Sequence, residues 1–262
     1  MQPAIYIVSG IGFIFVMTCL GAATVFLFSK TAPGKFQQIF LGFAAGVMIA
    51  ASIWSLLIPA IALAESQGFA GWIPSACGFS LGVLFLLFLD RVIPHIHPVT
   101  DMREGPDSAS KRTTLLFFAV TLHNIPEGMA VGLSFALAAQ SKDPAIMMSA
   151  VTLAFGIGIQ NFPEGAAISL PLRQEGMSKN KAFLLACLSG AVEPLFASIA
   201  VLIAAWIAPV MPWLLSFAAG TMIYVVVEEL IPETQLKEHS HAGTLGVMGG
   251  FLVMMILDVA LG

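Results

Sequence analysis

The chain has 262 residues, 58% of them hydrophobic and only 10% charged, with a mean hydropathy of +0.93. Soluble domains carry about 25% charged residues, so this composition excludes an ordinary soluble domain and points to a polytopic membrane protein. The net charge of −4 is uninformative about partners, and no basic patch interleaved with aromatics points to nucleic acid.

About 20 apolar residues cross a bilayer as a helix. By that measure the sequence predicts an all-α membrane protein of one domain, residues 1–262, with eight spans. The first runs from about Ile5 to Phe28, the second from Phe36 to Leu63 and the third from Ala70 to Leu89. The fourth runs from Thr113 to Ala139, the fifth from Ala145 to Leu172 and the sixth from Ala182 to Ile207. The seventh covers Trp213 to Ile231 and the eighth Thr244 to Leu261. No basic segment precedes the first apolar run, which therefore reads as a span and not as a cleaved signal peptide.

Loop charges set the orientation. With the N-terminus outside, Lys30, Lys35, Arg91, Arg103, Lys111, Arg112, Arg173, Lys179, Lys181 and Lys237 all fall on the cytoplasmic side, and only Lys142 falls outside. The positive-inside rule then places both termini on the exterior or periplasmic face. The polar loop from Asp90 to Arg112 becomes cytoplasmic and flexible. It holds His95 and His97, and the last cytoplasmic loop holds His239 and His241. Each pair is either a transient metal contact or a solvated loop that happens to contain histidine. Cys19, Cys77 and Cys187 lie in apolar runs without a CxxC pair and read as small packing residues.

Two duplications stand out. Phe43-Ala-Ala-Gly-Val-Met-Ile49 in the second span matches Phe217-Ala-Ala-Gly-Thr-Met-Ile223 in the seventh, and the two spans end in Ile58-Pro59 and Ile231-Pro232. The paired spans run in opposite directions, so the repeat is inverted, a pattern that transporters build around a midplane site. The second duplication is His123-Asn-Ile-Pro-Glu-Gly128 in the fourth span and Gln160-Asn-Phe-Pro-Glu-Gly165 in the fifth.

Positions i, i+3 and i+4 share a helix face, so His123, Asn124 and Glu127 converge, as do Gln160, Asn161 and Glu164. Pro126 and Pro163 lack an amide hydrogen and leave the carbonyls of Leu122 and Ile159 without their helical donor. Gly128 and Gly165 permit close helix approach. Glu193-Pro194 adds a third intramembrane carboxylate, and no Lys or Arg falls in any predicted span. A carboxylate in hydrocarbon costs roughly 2.5–3.5 kcal/mol on insertion scales, so three of them mark a functional site. Carboxylates with an imidazole suit a divalent transition metal. The rival reading has the glutamates protonated and merely packed. Weaker signals are Glu228 and Glu229 near the cytoplasmic end of the seventh span, Met48, Ser52 and Ser55. Asp90 and Asp258 sit at span ends and read as interfacial.

At these motifs the chain resembles the ZIP (Zrt/Irt-like) family of metal-ion transporters, especially its bacterial branch, and the resemblance extends over the whole chain. It implies a 3+2+3 inverted-repeat bundle, a cell (inner) membrane location and commonly a homodimer. It implies uptake of divalent transition metal, chiefly Zn2+, into the cytoplasm, with Cd2+, Fe2+ and Mn2+ as further candidates. One site would use His123, Glu127, Glu164 and Glu193. A neighbouring site would use Asn124, Gln160 and Asn161 and share Glu127 and Glu164. Some relatives carry aspartate at the position of Asn161, which leaves the second site here with one charge fewer. Two other functions share the same residues: an intramembrane zinc-dependent hydrolase, although HExxH is absent, and a cation channel.

Overall fold

The structure, a computed structural model, describes residues 3–27, 34–92, 95–96, 103–104, 112–141, 143–174, 176–234 and 241–261. Lipid offers the backbone no hydrogen bonds, so apolar stretches of this length satisfy themselves as helices. The elements are α1 (Pro3–Ala22), α2 (Thr24–Leu27), α3 (Gly34–Ala51), α4 (Ile58–Ser66), α5 (Trp72–Val92), α6 (Arg112–Ser141), α7 (Pro144–Gln174), α8 (Lys179–Gly190), α9 (Val192–Leu202), α10 (Ala204–Ile207), α11 (Met211–Val225), α12 (Ile231–Thr234) and α13 (His241–Leu261). Seven helical stretches among the described residues are long and apolar enough to cross a membrane. The fourth predicted span forms a continuous 30-residue helix, α6, but is not one of those seven. The sixth ends at Leu202, before the predicted Ile207, because the chain turns at Ile203 and Ala204 begins the next apolar stretch. The loop after α5 is not wholly irregular: His95–Ile96 (β1) and Arg103–Glu104 (β2) pair as a short antiparallel ladder. His97, Lys142 and His239 lie outside the described residues, and His241 opens α13 in an exposed position.

Two wide π-helical turns interrupt otherwise regular helices. Ser52–Leu57 joins α3 to α4, and Val226–Leu230 joins α11 to α12. Each is closed by a backbone N–H reaching five residues back, Ile58 to Ile53 O and Ile231 to Val226 O. Each also ends at the isoleucine of an Ile-Pro pair. Pro59 and Pro232 cannot donate, and the ladder widens at the turn just before them.

Packing is carried by glycine. A Cβ at Gly46 would lie 2.0 Å from Val247 O, and one at Gly250 would lie 2.0 Å from Phe43 O, so α3 and α13 touch backbone to backbone. A Cβ at Gly220 would lie 2.2 Å from Phe79 O and one at Gly82 would lie 2.2 Å from Phe217 O, which joins α11 to α5 in the same manner. Phe43 and Gly46 are the sequence counterparts of Phe217 and Gly220. Counted from Gly82 in α5 and from Gly250 in α13, Asp90 and Asp258 occupy equivalent positions in the two pairs. Small residues at the contact are the usual device where lipid removes any hydrophobic drive between helices. The helices thus form two groups: α1, α6, α7, α8 and α9 in one, and α3, α4, α5, α11 and α13 in the other. They meet where α7 lies on α3 and α13 and where α6 lies on α11.

Candidate metal site

The site lies where α6, α7 and α9 come together. Two glycines of the proline motifs bring this about. A Cβ at Gly128 would sit 2.4 Å from Glu193 O, and a Cβ at Gly165 would sit 2.1 Å from Thr18 O. Gly128 therefore lets α6 rest on the backbone of α9 at the third carboxylate. Gly165 lets α7 rest on α1. Pro126 and Pro163 lie inside α6 and α7, which run through them as helices. Glu193 stands in the first turn of α9, directly after the break at Ala191.

Glu127 is 2% exposed and Glu193 fully buried, while Glu164 is only partly covered. None of the three faces lipid freely. The Glu164 carboxylate lies within electrostatic reach of Glu127, Glu193 and Glu229, and Glu193 within reach of Glu127. Three acids gathered in a low-dielectric interior repel one another strongly. No Lys or Arg occurs in α9, in α6 beyond its first residue, or in α7 before Arg173.

The amides orient towards the same place. Asn124 Nδ2 donates to Ser189 O at 3.1 Å, and Asn161 Nδ2 donates to Ile14 O at 3.3 Å and also to Glu193 Oε2. With each NH2 tied to a neighbouring helix, the oxygen must point the other way. Asn124 Oδ1, Asn161 Oδ1, Glu193 Oε1 and both amide atoms of Gln160 are buried and make no hydrogen bond among the described residues. A buried polar atom left unmade costs about 1–3 kcal/mol, and native interiors hold few of them. They fall on four residues of α6, α7 and α9, where a ligand from outside the chain would find oxygens ready to bind it. The His123 side chain lies outside the described residues. Among the described residues, no three His, Cys, Asp or Glu side chains stand close enough to hold an ion by themselves.

The weaker signals gain detail. Asp258, expected at the interface, lies near the end of α13 and is 6% exposed within the bundle; Ser55 Oγ donates to its Oδ1 at 2.6 Å, and its Oδ2 has no hydrogen bond among the described residues. Asp90, likewise expected at the interface, is 7% exposed and accepts a hydrogen bond from the Tyr224 hydroxyl. The pleated glycine contacts rotate both aspartates inward, and the apolar surroundings gave no sign of it. The two serines also separate: Ser52 back-bonds to Met48 O at 2.7 Å, whereas Ser55 reaches across to α13. Of the acidic pair in the second wide turn, Glu228 is exposed and Glu229 is buried toward the site. Met48 packs in the core. Thr152 was missed by the sequence reading; its hydroxyl is buried without a hydrogen bond. Its signal is a threonine one turn before Gly156, at which a Cβ would lie 2.3 Å from Met254 Sδ.

The family model described as ZIP zinc transporter matches residues 100–258. Human zinc transporter ZIP11 is 37% identical, over 97% of this chain and 96% of its own length. Zinc transporter ZIPB of Bordetella bronchiseptica is 41% identical, over 95% of this chain and 79% of its own. Zinc transporter GufA of Myxococcus xanthus is 39% identical over 94% of each. These are transporters, not enzymes, and their likeness runs nearly end to end. With its membrane-length helices and its proline motifs, the chain belongs to the ZIP zinc transporter family.

Proposed function

We propose that this chain carries divalent transition-metal ions, chiefly Zn2+, across the cell (inner) membrane into the cytoplasm. The observation that supports this most directly is the set of buried oxygens on Asn124, Gln160, Asn161 and Glu193 that have no hydrogen bond among the described residues. The metal is held by Glu127, Glu164 and Glu193 with His123, and by Asn124, Gln160 and Asn161 beside them. Amide and carboxylate oxygens together supply what acidic residues alone do not. Neutral amide ligands bind more weakly than carboxylates, which favours release over storage.

α6 is the eighth span, the bundle follows the 3+2+3 inverted repeat, and both termini face outward. The matched glycine registers of α3 with α13 and of α5 with α11 support the repeat. On the outer side, Asp258 with Ser55 receives the ion. Met254, one turn before Asp258, is seated on Gly156, one turn before Gln160. On the inner side, Glu229 and then Asp90 lead it out. The group of α1, α6, α7, α8 and α9 moves against the other, exposing the site to one face at a time. Two copies pair in the membrane.

Purified protein in liposomes loaded with a zinc-sensitive dye tests this. Saturable uptake is expected, and Glu127→Ala and Glu164→Ala should abolish it while the protein stays folded by size-exclusion chromatography. Normal uptake by both variants would refute the site. Flux that never saturates would replace a carrier with a channel.

A further inference from the structure

The outer end of the path holds a hydroxyl that the chain leaves unused. Thr152 on α7 is 3% exposed, and its Oγ1 makes no hydrogen bond among the described residues. A serine or threonine inside a helix commonly returns its proton to a carbonyl of the turn behind. Thr18, Ser52, Ser75, Ser216 and Thr221 are buried too, and each does so. Thr152 and Ser55 do not. Ser55 spends its proton on Asp258 Oδ1 instead, at 2.6 Å. The other oxygen of that carboxylate, Asp258 Oδ2, is buried and likewise has no hydrogen bond among the described residues.

Contacts along the helices set Thr152 and Asp258 at one level. α3 and α13 run parallel, since a Cβ at Gly42 would lie 2.4 Å from Gly243 O and one at Gly46 would lie 2.0 Å from Val247 O. α7 runs against both. Phe40 packs its ring on Phe162 with centroids 6.5 Å apart, and farther along α3 a Cβ at Gly156 would lie 3.5 Å from Val47 Cγ1. The same Cβ would lie 2.3 Å from Met254 Sδ. From that junction Asp258 is one turn onward in α13 and Thr152 one turn back in α7, which is the same direction in space. Thr152, Gly156 and Gln160 share one face of α7. α7, α13 and the wide turn Ser52–Leu57 touch one another pairwise. Neither α13 nor that turn carries Lys or Arg, and α7 carries none before Arg173.

We propose that the Thr152 hydroxyl is a ligand for the incoming ion beside Asp258 Oδ2, and that this outer station of oxygens sets which divalent ions are admitted. The proposal deepens the transport reading and rests on it. Ser55 occupies Oδ1, so Oδ2 is left for the ion. One carboxylate oxygen and one neutral hydroxyl do not replace a hydration shell, so the ion here still carries water. Carboxylate and water suit hard ions such as Mn2+, whereas imidazole and thiolate suit Zn2+. The outer station therefore admits both, and the preference for Zn2+ is left to the deeper site that includes His123.

Zinc uptake by the full chain in liposomes, with Mn2+ as competitor, tests this. Thr152→Val should raise the zinc KM several-fold with kcat near that of the parent, and Thr152→Ser should keep the parent KM. Thr152→Cys puts a thiol in place of the hydroxyl and should weaken Mn2+ competition several-fold. Thr152→Val should melt no lower than the parent, because it removes a buried hydroxyl that has no partner. A lower melting temperature, an unchanged KM, a serine variant no better than valine, or Mn2+ competition untouched by cysteine would each overturn the proposal. A binding measurement separates it from the transport reading. With Glu127→Ala and Glu164→Ala removing the deeper site, bound Mn2+, counted by electron paramagnetic resonance, reports the outer station, and adding Thr152→Val should weaken that binding several-fold. If the parent shows no uptake, the transport reading fails, while Mn2+ binding that depends on Thr152 still upholds the ligand. Binding indifferent to Thr152→Val overturns it.

Discussion

The two proline motifs are near copies in sequence and unlike in their surroundings. In α6, Asn124 is tied to α8 through Ser189 O, Gly128 rests on Glu193, and Glu127 is sealed. In α7, Asn161 is tied both to α1 and to the Glu193 carboxylate, Gly165 rests on Thr18, and Glu164 is only partly covered. Both copies also face the other helix group, α6 through α11 and α7 through α3 and α13. Duplicated sequence thus supplies the same chemistry twice, and the neighbours divide the labour.

The bluntest way to break this comparison is to fill the glycines. Gly128→Val and Gly165→Val both place a side chain against backbone, so each should cost about 3 kcal/mol or more and leave little folded protein. Thermal melts in detergent check it, and a well-folded Gly165→Val would mean that α7 does not rest on α1. Next, Asn161→Leu removes both the Glu193 donor and a site oxygen, while Asn124→Leu removes one oxygen and a backbone tie. Losing an outer partner of a metal ligand typically costs 10–100-fold, so Asn161→Leu should lie near about 100-fold in the zinc KM and Asn124→Leu near about tenfold. Equal losses would erase the asymmetry.

Two gentler changes sharpen it. Glu229→Gln should slow uptake several-fold because Glu229 lies within reach of Glu164, whereas Glu228→Gln, on the exposed side of the same turn, should leave the rate near that of the parent. Initial rates in liposomes distinguish the two, and the reverse order would move the exit. The smallest effect belongs to Asn161→Asp, which adds a charge to the copy whose glutamate is only partly covered. Zinc KM should fall modestly and turnover with it, because tighter holding delays release. A higher KM would place Asn161 outside the ligand set.

Much of this was legible before any coordinates. Acidic residues in apolar runs are costly enough to announce themselves, and the i, i+3 spacing before each proline motif's glutamate places Asn124 with Glu127, and Asn161 with Glu164, on one helix face. What the spacing cannot give is the rotation of each helix about its own axis. In a chain that is 58% hydrophobic, the apolar stripe that normally fixes rotation is nearly absent. The burial of Asp90 and Asp258 within the bundle was therefore not legible, and Glu228 and Glu229 could not be told apart. The glycines at 46, 82, 220 and 250 hold that information, but only in pairs, and a single sequence does not say which glycine meets which backbone. The tie of Asn161 to Glu193 was hidden for the same reason, since the partners lie on different helices.

The backbone-to-backbone seams have a mechanical consequence. Helices that touch through carbonyls have no side-chain slack to absorb a shift, so α3 with α13 and α5 with α11 behave as welded rods. Spin labels placed on the two members of such a pair should report one unchanging separation through the whole working cycle, whereas a label on α7 read against α13 should report at least two.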